Sequence, residues 1–417
     1  MVLAVTTIGT IFYSIIVFLL VIITLVGLLL FARDKLTPKG DVELQINDRK
    51  ITVSPGSNLL FTLSSNNIFL PSACGGGGTC GMCKCQVIEG GGSILPTETG
   101  FFTRKEQLNH WRLGCQVKVR EPMKIKIPES ILGIKKWECE VVSNRNVSTF
   151  IKEFVVKLPE GEVLEFEPGG YIQIDVPHYE VKFSDFDIQE QFRTDWDYYK
   201  MWDLGIRNKT ETFRAYSMAN YPAEKNLIKL NIRIATPPWD NAKNKFMNVP
   251  PGICSSYIFS RKPGDKVIIS GPYGEFHIKN TDSEMIYIGG GAGMAPLRSH
   301  IFHLFKTLKT TRKVSYWYGA RSLREVFYED EFRAIEKEFP NFTFNLALSE
   351  PLPQDNWTGY KGFIHQVLYD NYLSKLDEPE DIEYYFCGPP MMNNAVVEML
   401  DNLGIPAENI SFDDFGI

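Results

Sequence analysis

The segment Cys74-Gly-Gly-Gly-Gly-Thr-Cys80-Gly-Met-Cys83, followed thirty-two residues later by Cys115, gathers four of the eight cysteines in the chain. Eight are too few to staple 417 residues with disulfides, but five of them fall between Cys74 and Cys115, and such clustering points to a metal site. Four thiolates can hold two irons, and three of them on one tight loop with the fourth distant is an iron–sulfur arrangement. Structural zinc favours two separated C-x2-C knuckles, and here there is one such pair. Inert buried cysteines do not account for three thiols within ten residues of a glycine-rich loop. The glycines have their own reason: a loop wrapped round a cluster needs positive φ values, and side chains would keep backbone N–H groups from the sulfides. The reading is a [2Fe–2S] cluster with Cys74, Cys80, Cys83 and Cys115 as ligands, and with Cys85 as a packed neighbour rather than a fifth ligand.

On the N-terminal side of the loop, Val42-Glu-Leu-Gln-Ile-Asn47 alternates apolar and polar residues, Asn47-Asp48 turns, and Lys50-Ile-Thr-Val53 alternates again, which predicts a hairpin. Pro55-Gly56-Ser57 leads into a short helix over Asn58 to Ser65, and Val117 and Ile125 are expected in later strands. Residues 40–130 resemble a ferredoxin of the β-grasp type. The first gap is five residues where the plant-type pattern has four, closer to the vertebrate and bacterial variant.

Past the cysteine loop, Trp137-Glu-Cys-Glu-Val-Val and Phe150 to Leu158 read as paired strands, and Gly169-Gly170-Tyr171-Ile-Gln-Ile-Asp-Val as another. Short strands with Gly/Pro turns suggest a small antiparallel barrel over residues 131–282. Within it stands Arg214-Ala-Tyr216-Ser217, with Arg214 and Tyr216 on one face of a strand and Ser217 on the other. An Arg fork suits a pyrophosphate, an aromatic ring suits stacking on a flavin, and a hydroxyl suits a ring nitrogen. Gly252-Ile-Cys254-Ser255-Ser256 opens a short helix whose amides and hydroxyls suit a second phosphate, and Gly271-Pro-Tyr-Gly274 follows. These three motifs, in this order, resemble the FAD domain of the ferredoxin-NADP reductase superfamily. Residues 178–212 depart from it as an insertion dense in aromatics: Phe183, Phe186, Phe192, Trp196, Tyr198, Tyr199 and Trp202. Aromatics argue against disorder, so a packed lid or docking surface is expected.

Over residues 283–417, Glu284-Met-Ile-Tyr-Ile-Gly-Gly-Gly291-Ala-Gly293-Met294-Ala295-Pro296 is a buried strand running into a glycine turn and a helix. The glycines let a dinucleotide approach amides at the helix start. Strand–helix alternation continues through Val314–Gly319, Glu329–Glu338, Phe342–Leu348, Tyr384–Cys387 and Met391–Leu403, which predicts a doubly wound parallel sheet. Ligands sit at the carboxyl ends of such strands, where Gly319-Ala-Arg321-Ser322 and Cys387-Gly388-Pro389 stand. The superfamily resemblance puts the first near the adenosine ribose and the second near the nicotinamide. Arg321 suits a 2′-phosphate, yet the only second basic partner is Arg324, which favours NADH. Superfamily members often end with an aromatic over the flavin, and Phe415 is the candidate. The six histidines show no metal or triad spacing.

Met1 to Ala32 carries no charged side chain, and the run from Ile8 to Ala32 is long enough to cross a bilayer as a helix. No basic leader or cleavage site marks it as a secretory signal. Arg33, Lys35 and Lys39 follow directly, which places the N-terminus outside and the remaining chain in the cytoplasm. With nothing ionisable inside it, the span is an anchor and not an ion path. The net charge of -6 offers no basic excess for nucleic acid.

The anchor, the C-x5-C-x2-C spacing, the 178–212 insertion and the Phe412-Asp-Asp-Phe415 ending together resemble the F subunit of the Na+-translocating NADH:quinone oxidoreductase. The resemblance implies a multidomain chain: anchor and linker (1–39), β-grasp [2Fe–2S] ferredoxin domain (40–130), antiparallel β-barrel FAD domain (131–282) and α/β doubly wound NAD domain (283–417). It implies that NADH gives hydride to FAD at N5, with Ser217 near N5, Tyr216 flanking the ring, and Cys387 and Phe415 where the nicotinamide enters. Electrons would then pass singly to the cluster, to integral-membrane partner subunits of a bacterial inner membrane and, indirectly, to quinone. Two other readings are an NADH-dependent reductase component of an oxygenase and a membrane-tethered ferredoxin-like carrier without NADH turnover. Intact cluster, flavin and nucleotide motifs disfavour the carrier, and the membrane helix disfavours the oxygenase reductase.

Overall fold

In a computed structural model of the protein, residues 2–36, 40–240 and 242–413 are described. The chain opens with a helix, Val2–Leu36, whose 35 residues run about 50 Å at 1.5 Å per residue, more than the ~30 Å of bilayer hydrocarbon. Its stretch Phe12–Ala32 is long and apolar enough to span a membrane, and large apolar side chains from Phe12 to Phe31 are exposed. The protein divides into two compact units: Met1–Leu70 with Cys83–Leu132, and Pro71–Met82 with Gly133–Ile417.

The first unit holds a five-stranded sheet in the order Arg49–Val53, Val42–Ile46, Met123–Lys126, Lys84–Glu89, Trp111–Leu113. Val42–Ile46 makes the expected hairpin with Arg49–Val53 through Asn47 (φ 50°) and runs parallel to Met123–Lys126. The expected helix is Leu59–Ser64, capped by Asn58, whose side-chain oxygen accepts from Phe61 N–H. Ile125 lies in a strand, but Val117 does not. Residues 114–116 turn to present Cys115, so Val117 falls in an irregular segment, and its carbonyl accepts from Leu59 N–H.

The apolar interior of this unit, with Leu44, Ile46, Leu60, Leu63 and Ile125 buried, also encloses an ion pair. Arg112 and Glu98, side chains 6% and 0% exposed, meet in a fork, with Nη2 to Oε2 at 2.7 Å and Nε to Oε1 at 3.0 Å. The carboxylate also accepts from Leu95 N–H and Leu113 N–H, and Arg112 Nη1 donates to the carbonyls of Gly91 and Gly92. Satisfaction on all sides lets the pair survive burial, and it ties two loops to the strand just before Cys115.

In the second unit six antiparallel strands follow the order Thr212–Ser217, Tyr171–Val176, Lys266–Tyr273, Lys135–Ser148, Ile151–Lys157, Leu227–Arg233. A bridge between Met218 and Leu230 joins the two outer strands and closes the barrel. The insertion is part of its core. Strands Tyr179–Lys182 and Gly205–Asn208 pair, helix Glu190–Tyr198 lies between them, and Phe183, Phe186, Phe192 and Trp196 are buried against the barrel. Trp196 Nε1 donates to Thr149 carbonyl at 2.9 Å. The expected lid or docking surface is therefore mostly interior, although Tyr198 remains 70% exposed.

The remainder is the expected parallel sheet, in the order Tyr360–Lys361, Phe342–Leu348, Val314–Ala320, Met285–Gly290, Glu383–Cys387, Ile410–Asp413. Helices Met294–Phe302 and Glu329–Glu338 pack on one face, and Ile364–Asn371 and Pro390–Asn402 on the other. His300 joins this sheet domain to the barrel: its Nε2 lies 3.1 Å from Pro168 carbonyl and 3.0 Å from Phe276 carbonyl. Two acceptors at Nε2 require the N–H there, so Nδ1 faces Tyr287 hydroxyl at 3.5 Å as an acceptor. Burial lowers the imidazole to about 4.

These buried groups lend themselves to two measurements. Arg112→Met leaves Glu98 as an unpaired buried charge, and chemical denaturation of the full chain should show a loss of about 3–5 kcal/mol. Because His300 titrates at about 4 folded against about 6.5 unfolded, the unfolded state binds the extra proton. Stability should fall as pH drops from 6.5 towards 4, by up to about 3 kcal/mol, and His300→Gln should flatten that slope in denaturation curves between pH 7 and 5.

Candidate active site

The loop thiols come in two pairs. In the second unit Cys74 and Cys80 sulfurs lie 3.3 Å apart. The Cys80 thiol, then the amides of Thr79, Cys80 and Gly78, favour thiolate at Cys74, while the same contact and burial push Cys80 up. In the first unit Cys115 N–H donates to Cys83 sulfur at 3.5 Å, and Cys115 and burial push the Cys83 thiol up. Thiolates on one tetrahedral metal at about 2.3 Å stand about 3.8 Å apart, so the Cys74–Cys80 spacing suits one iron with little movement. Among the described residues no three His, Cys or carboxylate groups gather round one ion. Pairs are what a two-iron cluster takes, since sulfides complete each iron. Cys85 is fully buried and its thiol is raised to about 12 by burial, as expected of a packed neighbour.

Loop glycine Gly75 has φ +62°, and a Cβ there would fall 2.0 Å from Arg214 Nη1 and 2.3 Å from Phe213 carbonyl. The loop backbone thus rests on the Arg-Ala-Tyr-Ser strand. That strand, Thr212–Ser217, pairs with Tyr171–Val176, and Arg214 Nη1 donates to Phe213 carbonyl at 2.8 Å and Thr212 Oγ1 at 3.1 Å. Burial pushes the Cys254 thiol to about 12, opposed by the neighbouring Arg214 charge, which puts helix Ile253–Phe259 beside the guanidinium. Gly252 caps that helix, and a Cβ there would meet Ala235 Cβ at 2.6 Å. Ser255 Oγ is occupied by Ala235 N–H, whereas Ser256 Oγ is buried beside the Tyr179 phenol at the head of the helix. Gly274 takes φ +122° against Gly170 and Tyr171. Burial keeps the Tyr216 phenol well above its usual range, hence neutral. Ser217 Oγ donates to Asp413 Oδ2 at 2.6 Å, a partner the sequence did not reveal.

At the nucleotide turn a Cβ on Gly293 would lie 2.0 Å from Cys387 carbonyl and 2.7 Å from Gly388 nitrogen, so only glycine lets these two strand ends close together. Gly291 takes φ +56°. Met294, Ala295 and Pro296 are buried, leaving backbone alone to meet a ligand, and Cys387 is buried at the strand end. Beside the turn lies a cleft of about 800 Å3, lined by Gly290, Gly291, Arg321 and Pro389 at the strand ends, by Arg233 of the barrel, and by Tyr199 of the insertion. Gly388, next to Pro389 in the chain, packs on Met392. Ser322 is buried. Arg321 lies 3.8 Å from Glu325, and Arg324 is paired with Asp195 at 2.6 Å. Arg233 was not legible in sequence, being one arginine in an ordinary strand. Phe415 lies outside the described residues.

A buried serine hydroxyl at a helix head, a guanidinium and glycine-lined close approaches fit a flavin and a dinucleotide, and known proteins agree. Family models match for a 2Fe-2S iron-sulfur cluster binding domain (residues 42–120), an oxidoreductase FAD-binding domain (198–278) and an oxidoreductase NAD-binding domain (287–398). The protein binds a [2Fe–2S] cluster, FAD and NAD. The cytochrome P450 reductase GcoB of Amycolatopsis superposes with a TM-score of 0.63 at 21% identity, over 90% of this chain and 98% of that one. Fold and site thus define a ferredoxin-containing flavoprotein reductase. The F subunit of the Na(+)-translocating NADH-quinone reductase of Klebsiella pneumoniae is 57% identical over 97% of this chain and 98% of its own. Its counterpart in Pseudomonas aeruginosa is 54% identical over 97% and 98%. The chain belongs to this family of F subunits, and with its N-terminal helix it is a membrane-anchored member of a multisubunit assembly.

Gly293→Ala should separate the two strand ends while leaving the barrel intact. Bleaching of the flavin by NADH is expected to slow by about 100-fold with FAD content unchanged, since a misplacement near 1 Å costs about that factor.

Proposed function

We propose that this chain is the electron-entry subunit of a membrane Na+-pumping NADH:quinone oxidoreductase. It oxidises NADH by hydride transfer to FAD, then passes single electrons to the [2Fe–2S] cluster and on to integral-membrane partner subunits towards quinone. The observation that carries this reading is the likeness along nearly the whole chain to F subunits, with cluster, flavin and nucleotide domains in one protein, and the 2.6 Å contact of Ser217 Oγ with Asp413 Oδ2 supports the transfer step. Asp413 pairs with Cys387 in the sheet register, so the contact sets strand Thr212–Ser217 against the end of strand Glu383–Cys387.

When bound, FAD takes up two electrons as a hydride and gives them out singly, which a one-electron cluster requires. Arg214 and Ser256 would hold phosphate oxygens of the FAD, and the neutral Tyr216 ring would flank its isoalloxazine. Asp413 accepts the hydrogen bond of the Ser217 hydroxyl, which would leave the lone pairs of that oxygen to accept from a flavin ring N–H. The closed turn of Gly291 and Gly293 would let backbone amides meet the dinucleotide, with Gly388 and Pro389 on the nicotinamide side. Cys74, Cys80, Cys83 and Cys115 hold the cluster. Arg33, Lys35 and Lys39 retain the catalytic domains in the cytoplasm, with a single span and the N-terminus outside, at the bacterial inner membrane.

Anaerobic titration of the detergent-purified protein with NADH, followed optically and by EPR, should bleach the flavin and raise a one-electron iron–sulfur signal. In Cys80→Ala the EPR signal should vanish while the flavin still bleaches. An unaltered signal would refute Cys80 as a ligand.

A further inference from the structure

Discrimination between NADH and NADPH turns on one phosphate at the adenosine ribose, which arginines attract and a fixed carboxylate repels. Arg321 and Glu325 both line the cleft at the end of strand Val314–Ala320. Glu325 is fixed: its Oε1 accepts from Thr149 Oγ1 at 2.5 Å, its Oε2 accepts from Thr149 N–H at 3.2 Å, and Arg321 lies 3.8 Å away. Arg324, the remaining cation of this turn, is held by Asp195 Oδ2 at 2.6 Å. Asp195 belongs to the insertion helix Glu190–Tyr198, and the next residue, Trp196, donates to Thr149 carbonyl at 2.9 Å. Asp195 Oδ2 also lies 3.5 Å from Thr149 Oγ1. Insertion, Thr149 and the Arg324-Glu325 turn are thus one hydrogen-bonded unit, and the same insertion supplies Tyr199 and Met201 to the cleft wall.

We infer that the insertion 178–212 is a coenzyme-selectivity element: Asp195 is a positioning residue that keeps Arg324 from the ribose, and Glu325 presents its carboxylate where a 2′-phosphate would sit. The inference rests on the NADH reading above and deepens it. Asp195 and Arg324 are 34% and 27% exposed, so their pairing adds little to stability. What the pair does is choose a direction for a cation that would otherwise serve phosphate.

The test is anaerobic stopped-flow bleaching of the full-length, FAD-loaded protein in detergent by NADH and by NADPH, in the parent and in Asp195→Asn, Glu325→Gln and Asp195→Asn/Arg324→Ala. The efficiency with NADPH relative to NADH should rise at least tenfold in Asp195→Asn, with the NADH rate within threefold of the parent. It should also rise in Glu325→Gln, and the gain should disappear when Arg324→Ala is added. If Asp195→Asn fails to retain FAD, Glu325→Gln carries the test alone. A NADPH:NADH ratio within twofold of the parent in every FAD-loaded variant, or a gain that survives Arg324→Ala, overturns the inference. A parent bleached by neither nucleotide overturns the functional reading and this inference with it.

Discussion

His300 is a neutral imidazole, fully buried, with its N–H shared between the carbonyls of Pro168 and Phe276. One carbonyl belongs to the loop before strand Tyr171–Val176 and the other follows strand Lys266–Tyr273, while the ring itself rides on the nucleotide helix Met294–Phe302. That contact fixes the sheet domain to the barrel. Gly169 is required beside it, because a Cβ there would stand 2.0 Å from Phe276 carbonyl and 2.3 Å from the imidazole nitrogen. With the nucleotide helix so anchored, the glycine turn at its head and the Ser217–Asp413 contact are held in one frame, and hydride transfer needs such fixed approach.

Much of this was legible in the sequence because the relevant residues are contiguous. The cysteine loop, the Arg-Ala-Tyr-Ser strand and the glycine turn each carry their chemistry within about a dozen residues, and the strand–helix alternation of the last domain has a strong period. What stayed hidden depends on distant partners. Ser217 meets Asp413 across 196 positions, and nothing in either local segment announces it. Arg112 finds Glu98 at a separation of 14, with no periodic pattern joining them. Val117 looked like a strand residue because its apolar pattern is genuine, but the turn that presents Cys115 interrupts the ladder.

The insertion shows how composition can be read correctly in kind and wrongly in place. Its aromatics do argue for order, yet most of that surface is spent inside the barrel, with Trp196 and Phe183 fully buried. Only the residues after its helix, Tyr199 and Met201, reach the cleft wall, while Asp195 on the helix holds Arg324. A count of cations near Arg321 therefore could not settle how the nucleotide is chosen.

The central claim is a relay in which paired electrons enter at the flavin and leave singly through the thiol-bound cluster. Rapid mixing of the oxidised full-length protein with one equivalent of NADH, sampled both by flavin absorbance and by freeze-quench EPR, tests it most directly. Flavin absorbance should fall first, and the iron–sulfur signal should grow as part of that absorbance returns. A cluster signal that precedes flavin bleaching, or that never forms while the flavin stays reduced, would contradict the account.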